Sequence, residues 1–462
     1  MTLSDQVPPP TTPSAAAAVM SADPWPAPTL SPSQPVDATV RIPGSKSLTN
    51  RHLLLAAVAD GPSHLRCALD SRDTRLMISA LEALGARFRW EETGDLLVTP
   101  LDRSSTAETG HAPLAIDTGL AGTVMRFIPP LAALLGRPAA FDGDPGARLR
   151  PMGPVLDAVT QLGCRVHSDP STPGRLPFTQ SAPHPQDLAG SPTITIDASA
   201  SSQFLSALLL TGFLAPEGLV ITHRGGPLPS LPHVQMTVQV LADYGIPIRR
   251  LDEATWEVPP ARPQAHDVVV EPDLSNAGPF LAAAVLTGGR VRIPNWPQHT
   301  TQGGDRWREL LPRFGAQVQR EGQDLIVTGP ENPSALPGID ADLSEAGELA
   351  PTVAAIAAVA SSPSRLTGIG HLRGHETNRL AALVTEIRRL GGAAEELPTG
   401  LEITTPISRS GTVRTYEDHR MATAAAIMGL RQPGILVQNV MTTAKTLPEF
   451  VTMWAQMIGQ PR

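Results

Sequence analysis

Two kinds of segment alternate along the chain. The first opens on small or polar residues and runs on as a helix that is apolar nearly all round: "SKSLTNRHLLLAAVADG", "AGTVMRFIPPLAALLG", "SSQFLSALLLTG", "SNAGPFLAAAVLTGG", "GELAPTVAAIAAVA" and "EDHRMATAAAIMGL". Helices of this kind belong in a core. The second is amphipathic, closes on glycine and leads into a strand: "LEALGARFRW", "LDAVTQLGCRV", "LADYGIPI", "LLPRFGAQV", "EIRRLGGAAEE" and "WAQMIGQ". Both series recur about every 75 residues, which predicts six units of two helices and several strands. Gly85, Gly163, Gly245, Gly315 and Gly391 stand where a helix would close in a left-handed cap before its strand. Six units divide naturally into two domains of three.

The first 35 residues break this pattern. Pro, Ala, Ser and Thr dominate, nothing periodic could form a packed face, and a disordered tail is expected over residues 1–35. The tail contains no basic residue, which argues against a signal or transit peptide. No apolar run reaches the roughly 18 residues that span a bilayer. The net charge of −8 argues against a general nucleic-acid or membrane-surface binder, so an anionic ligand would need a local cluster of arginines. Cys67 and Cys164 give neither a disulfide framework nor zinc spacing. A reducing, cytoplasmic home is expected.

Polar chemistry gathers at the starts of the six core helices. Helix N-termini present unpaired N–H groups and partial positive charge, so several could frame one anion site. The first start carries Lys46, Ser47 and Arg51, and the second Gly122, Thr123 and Arg126, followed by Arg148 and Arg150. The third carries Ser201, Ser202 and Gln203, the fifth Glu348, and the sixth Glu417, Asp418, His419 and Arg420. "HLRGHETNR" adds His371, Arg373, His375, Glu376 and Arg379, and "TTAKTLPEF" adds Lys445. Lysine and arginine together number 36, yet Lys46 and Lys445 are the only lysines. A lysine can give up a proton where arginine practically cannot, which makes Lys46 a candidate proton carrier. "GSKS" is no Walker loop, because Ser45 and Val40 stand where that loop needs glycine. His371 and His375 at i, i+4 lack the third ligand of a metal pair, and no metal is expected.

Seven separated motifs, "PGSKSLTNRHLLLAA", "LAGTVMRF", "GDPGARLRPMGPV", "SSQFLSALL", "HETNR", "YEDHRMA" and "AKTLPEF", resemble the EPSP synthase (3-phosphoshikimate 1-carboxyvinyltransferase) family in the right order. The resemblance covers nearly everything after the tail. It implies an α/β fold: a two-domain inside-out α/β barrel of the enolpyruvyl transferase kind, with six βαβαββ repeats, three per domain. Domain I would combine residues 36–44 with 270–462, and domain II would span 45–269. It further implies transfer of the enolpyruvyl group of phosphoenolpyruvate to the 5-hydroxyl of shikimate 3-phosphate through a tetrahedral intermediate, releasing phosphate, with no cofactor. The partners would be these small molecules alone, with no nucleic acid or membrane, and the chain would be a monomer.

Carried over by position, Lys46, Ser47, Arg51, Ser201, Ser202, Gln203, Ser230, Glu348 and His375 would hold shikimate 3-phosphate. Lys46, Gly122, Thr123, Arg150, Gln203, Arg379, Arg420 and Lys445 would hold phosphoenolpyruvate. The catalytic set would be Glu348 as base for the 5-hydroxyl, Glu376 for proton exchange at C3, and Lys46. The ligands bring roughly −5 to −6 of charge, met by Lys46, Arg51, Arg150, Arg379, Arg420 and Lys445.

The chain departs from the family pattern at several positions. The usual base is aspartate, and Asp342 competes with Glu348 for the role. Histidines 371 and 375 replace asparagine and lysine, and a titrating His375 would loosen the grip on the incoming phosphate above its pKa. His233 stands where a tyrosine is common, and Phe127 where proline is. Gly122 leaves the space of a methyl group, so sensitivity to the inhibitor glyphosate is expected. The nearest alternative, a UDP-N-acetylglucosamine enolpyruvyl transferase, typically has a cysteine in the loop that here reads "GDPGARLRP". A non-catalytic scaffold would not need proton-handling groups beside arginines, and an RNA-cyclase-like role would want a basic stripe.

Overall fold

The structure is a computed structural model and describes residues 22–31, 34–102 and 112–459. The alternation read from the sequence becomes an alternation of helices. The core series is α1 (Lys46–Ala57), α3 (Gly122–Leu134), α5 (Ser202–Leu209), α7 (Leu274–Thr287), α9 (Ala350–Ala357) and α11 (His419–Gly429). The amphipathic series is α2 (Arg72–Leu84), α4 (Gly153–Gln161), α6 (Leu231–Asp243), α8 (Trp307–Arg313), α10 (Arg379–Arg389) and α12 (Phe450–Met457). Every residue of α3 and α11 is buried, whereas α2 buries one stripe. The five cap glycines all adopt positive φ, from +77° at Gly245 to +114° at Gly85, as a left-handed helix end requires.

Among the described residues, five four-stranded sheets share one order. In the clearest, Leu114–Asp117 runs parallel to Ala139–Asp142, which pairs antiparallel with Phe178–Gln180, itself antiparallel to Val166–Ser168. This is one βαβαββ unit, with each helix lying between consecutive strands. Two sheets borrow their first strand from elsewhere in the chain. Val268–Val269 completes the sheet of Ser63–Arg66, and Asp37–Thr39 completes that of Arg290–Ile293. Both borrowed strands enter in parallel register.

The buried apolar side chains fall into two clusters. One runs from Leu48 to Val270, and the other joins Trp25, Ala27, Val36 and Val40 to residues from Leu274 to Met457. In the second lobe α7, α9 and α11 pack on one another. Strands such as Ser63–Arg66 alternate buried and less buried positions, as sheets with one face toward a core do. The chain crosses between lobes twice, side by side. Ser45 N donates to Glu271 O at 2.8 Å, Asp273 N donates to Pro43 O at 2.9 Å, and Gly44 bridges Pro272. A Cβ on Gly44 would lie 2.1 Å from Cys67 O, so only glycine fits this crossing.

The expected tail over 1–35 needs correction where it is described (residues 1–21 and 32–33 lie outside the described residues). Trp25–Pro26 forms a strand antiparallel to Ile435–Val437, and the Trp25 side chain is 3% exposed against Phe450. The sixth unit has two parallel strands of its own, Gly411–Val413 and Ile435–Val437, and this segment takes the next place in the sheet. Gly429 admits it closely, since a Cβ there would stand 2.5 Å from Ala27 Cβ. A two-residue strand ending in proline has no periodicity to read, and proline fits an edge.

Candidate active site

All six core-helix starts reach one cavity, with about 860 Å³ of space free of protein atoms between the lobes. Lys46 and Ser47 open α1, Gly122 and Thr123 open α3, and Ser201 to Gln203 cap and open α5. Asp273 caps α7, Glu348 lies in the turn before α9, and His419 and Arg420 open α11. Arg126, Arg150, Ser230, His233, His371, His375, Glu376 and Arg379 complete the wall used below. The lobes meet across it: His233 Nε2 stands 3.8 Å from Glu348 Oε1.

Ion pairs knit the cations to acids. Lys46 Nζ lies 3.1 Å from Asp73 Oδ2, and Arg420 Nη2 lies 2.5 Å from Glu348 Oε2. Glu376 is held twice, by Arg379 Nη2 at 2.8 Å and Lys445 Nζ at 2.7 Å. Arg379 also grips Asp418, whose side chain is fully buried, with Nε 2.7 Å from Oδ2. Burial pushes the Glu348 carboxyl up, but Arg420, His233, Arg379 and Lys46 outweigh it and hold it far below the carboxylate range. Glu376 is likewise held well below that range, burial being overcome by Lys445, Arg379 and Arg150.

The Lys46 amine behaves differently from the expected proton carrier. Burial would lower its pKa, yet Asp73, Glu376 and Glu348 together raise it, so the site holds the proton more firmly. Burial lowers the pKa of all four histidines of the wall. Burial and then Arg379 push His371 down to about 4 and His375 well below its usual value, and burial and Arg420 do the same to His419. His233 is lowered by burial despite Glu348. Arginine cannot accept a hydrogen bond, so the 3.2 Å contact from Arg379 Nη1 makes His375 Nδ1 the acceptor. Burial and the Arg379 guanidinium thus hold His375 in its neutral form, which runs against the expected pH-dependent grip.

Most of the expected residues line the cavity: Lys46, Ser47, Gly122, Thr123, Arg150, Ser201, Ser202, Gln203, Ser230, Glu348, His375, Glu376, Arg379 and Arg420. Lys445 stands one contact back, on Glu376. Arg51 does not join them. Its guanidinium faces inward, donating to Thr237 Oγ1 at 2.9 Å, Ser47 O at 2.9 Å and His233 O at 3.2 Å. Burial brings its pKa down to about 10. Asp342 is exposed at a strand end, with Oδ1 accepting from Ser344 N, and is not part of the wall. Between the two acids, the geometry favours Glu348.

Three groups had no assigned role. Arg126 lines the cavity and donates to Gln203 Oε1 at 2.9 Å, while its Nε has no partner. Asp73, 1% exposed in the first turn of α2, and Asp273 read in sequence as ordinary helix-start acids. Their spacing carried no further signal. Among the described residues no group of three His, Cys, Asp or Glu stands close enough to hold a metal ion, and no helix is long and apolar enough to cross a membrane.

The arrangement suits one chemistry: a crowded anion site with two carboxylates poised against arginines. A family model described as EPSP synthase (3-phosphoshikimate 1-carboxyvinyltransferase) matches residues 30–454. A 3-phosphoshikimate 1-carboxyvinyltransferase of Kocuria rhizophila is 56% identical over 445 residues, covering 95% of this chain and 97% of that protein. Among solved structures, an EPSP synthase from Acinetobacter baumannii superposes with a TM-score of 0.71 at 21% identity, over 91% of this chain and 95% of its own. The enolpyruvyl transferase NikO from Streptomyces tendae gives 0.69 at 20%, over 92% and 95%. At such identities these two speak for the fold.

Proposed function

The chain belongs to the EPSP synthase family, and on that premise we propose how its cleft divides two substrates and the moving protons among its side chains. The reaction is the transfer of the enolpyruvyl group of phosphoenolpyruvate to the 5-hydroxyl of shikimate 3-phosphate, a step of aromatic amino acid biosynthesis. The observation that carries the residue assignment is the convergence of six helix starts, five cations and three carboxylates on one cavity.

Ser201, Ser202 and Ser230 take the shikimate phosphate, with Ser47, Gln203 and His375 around the ring. Arg150, Arg379, Arg420 and Lys445 take phosphoenolpyruvate beside the Gly122–Thr123 backbone, and Arg126, which the sequence left without a role, joins them. Arg51 works one layer out, fixing Ser47 and the His233 carbonyl. Lys46 stands between the substrates as a fixed charge braced by Asp73.

Glu348 removes the 5-hydroxyl proton as the oxygen adds to C2, while Glu376, protonated once the substrate anions have taken its cation partners, delivers a proton to C3. As phosphate departs, Glu376 takes a C3 proton back and Glu348 passes its proton to the leaving phosphate oxygen. Oriented arginines stabilise the charge that develops on the leaving phosphate. The domains are taken as 36–44 plus 270–462 and 45–269, a division supported by the two apolar clusters, although Val270 packs with the 45–269 lobe and Trp25 and Ala27 with the other. A cytoplasmic monomer without nucleic-acid partners, open to inhibition by glyphosate, completes the reading.

The test is phosphate release by the purified chain. It should require shikimate 3-phosphate and phosphoenolpyruvate together, and UDP-N-acetylglucosamine should not replace the former. Release with either substrate alone would refute the assignment.

A further inference from the structure

Behind α11 stands a residue pair that the proposed chemistry does not use. Tyr416 and Glu417 are consecutive non-glycine residues with φ of +54° and +56°. L side chains rarely adopt this region, and surrounding contacts must impose it. The two residues sit directly before Asp418, the N-cap of α11, whose side chain accepts from Arg420 N at 2.8 Å. The first two helical residues are His419 and Arg420, both in the cavity wall. The backbone path through 416–417 therefore sets where those side chains point.

Besides the turn bond from Asp418 N to Thr415 O at 2.9 Å, the side-chain contacts on this path come from one helix. Tyr416 Oη donates to Glu386 Oε1 at 2.7 Å, and Arg414 N donates to Glu386 Oε2 at 3.3 Å. Glu386 lies on α10 and is 0% exposed, and Arg389 Nε also donates to it at 2.9 Å. Seven residues earlier, two turns along the same helix, Arg379 clasps Asp418 through Nε–Oδ2 at 2.7 Å and Nη2–Oδ1 at 3.2 Å. The left-handed segment is bolted at both ends to α10. We propose that Glu386 and Tyr416 are positioning residues that aim His419 and Arg420 at the enol donor, an inference that rests on the role given above to Arg420.

Tyr416→Phe removes the upper bolt and keeps the ring. We expect KM for phosphoenolpyruvate to rise about tenfold, with KM for shikimate 3-phosphate within about twofold of the parent. Thermal midpoint should stay within about 2 °C, since one partly exposed hydrogen bond is lost. Glu386→Gln keeps an acceptor oxygen for Tyr416 and should show a smaller rise. Arg389→Ala, at the surface end of the cluster, should leave both constants unchanged. An unaltered KM for phosphoenolpyruvate in Tyr416→Phe overturns the proposal, as does a lower midpoint with activity reduced only in proportion to folded protein. Arg420→Lys, measured alongside, separates the premises. If it raises KM for phosphoenolpyruvate and Tyr416→Phe does not, the bolt alone fails; if neither does, the role of Arg420 fails first.

Discussion

Replacing Glu348 by glutamine tests the proposed base at little structural cost. The amide keeps an oxygen that can accept from Arg420 Nη2, now 2.5 Å from Glu348 Oε2, so the local geometry should persist. What disappears is the ability to take a proton. Positioned general bases contribute about 10²–10⁴-fold, so kcat should fall by that factor, a loss of about 2.7–5.4 kcal/mol in barrier stabilisation. Binding should move the other way. The substrates carry roughly −5 to −6 of charge, and the substitution deletes a carboxylate that competes for Arg420. KM for phosphoenolpyruvate should therefore stay level or drop. Glu348→Asp retains the charge but withdraws it by about 1.5 Å, one carbon–carbon bond, and should restore part of the rate. The assay is steady-state phosphate release with each substrate varied in turn. A Glu348→Gln enzyme within about threefold of the parent kcat, or an equal loss in Asp342→Asn, would refute the reasoning.

Other sites give sharper or simpler readouts. In Gly122→Ala the new Cβ would stand 2.7 Å from Arg126 Nη1 and 3.1 Å from Arg150 Nη2. Both are far ends of flexible side chains, so the fold should hold while the arginines yield. KM for phosphoenolpyruvate should rise about tenfold, or about 1.4 kcal/mol, with a larger rise in the glyphosate inhibition constant; unchanged constants would contradict it. Trp25→Ala empties a site 3% exposed and should cost about 3–5 kcal/mol, read as a lower urea midpoint. An unshifted midpoint would mean the Trp25 contact is dispensable. Stability should also decline from pH 7 to pH 5. Burial, then His266 and Arg51, press the His52 pKa down to about 3, so below 6.5 the unfolded chain binds a proton that the folded one refuses. At pH 5 that group alone costs about 2 kcal/mol, and His371, down to about 4, acts in the same direction. Glu348 and Glu376, held low, lose their contribution only at more acid pH. Equal urea midpoints at pH 7 and 5 would count against this, and His52→Leu should narrow the gap.

The fold was legible because burial leaves a period. Six all-apolar helices and five cap glycines fixed the units, and the starts of those helices pointed to the cavity. Helix geometry explains why Arg51 stands apart from the cavity wall. Lys46 and Arg51 are five residues apart, about 140° around α1, so one start cannot aim both into the same space. Arg51 instead lies a turn below Ser47 and bonds its carbonyl. Asp73 and Asp273 were hidden for the opposite reason, because an acid at a helix start already has a sufficient structural role. Trp25 gave no pattern, since its partner strand lies more than 400 residues away in sequence.

The pairing of acids with cations ties binding to chemistry. The cations proposed to hold phosphoenolpyruvate are not idle: Arg420 is shared with Glu348, and Arg379 and Lys445 are shared with Glu376. A phosphate or carboxylate that takes those N–H groups must loosen the carboxylates from them. For both acids burial is the largest influence, and it acts upward, opposed by neighbouring charges among which Arg420 leads at Glu348 and Lys445 and Arg379 lead at Glu376. Each carboxylate displaced by a substrate anion therefore gains proton affinity, Glu348 as a stronger base and Glu376 as a group able to carry a proton to C3. Arginine suits this exchange because it stays charged throughout. Lys46, whose proton the same acids secure, supplies charge at α1 without joining the traffic. On the roles proposed for Glu348 and Glu376, the cleft withholds its acid and base until the anions they must serve have arrived.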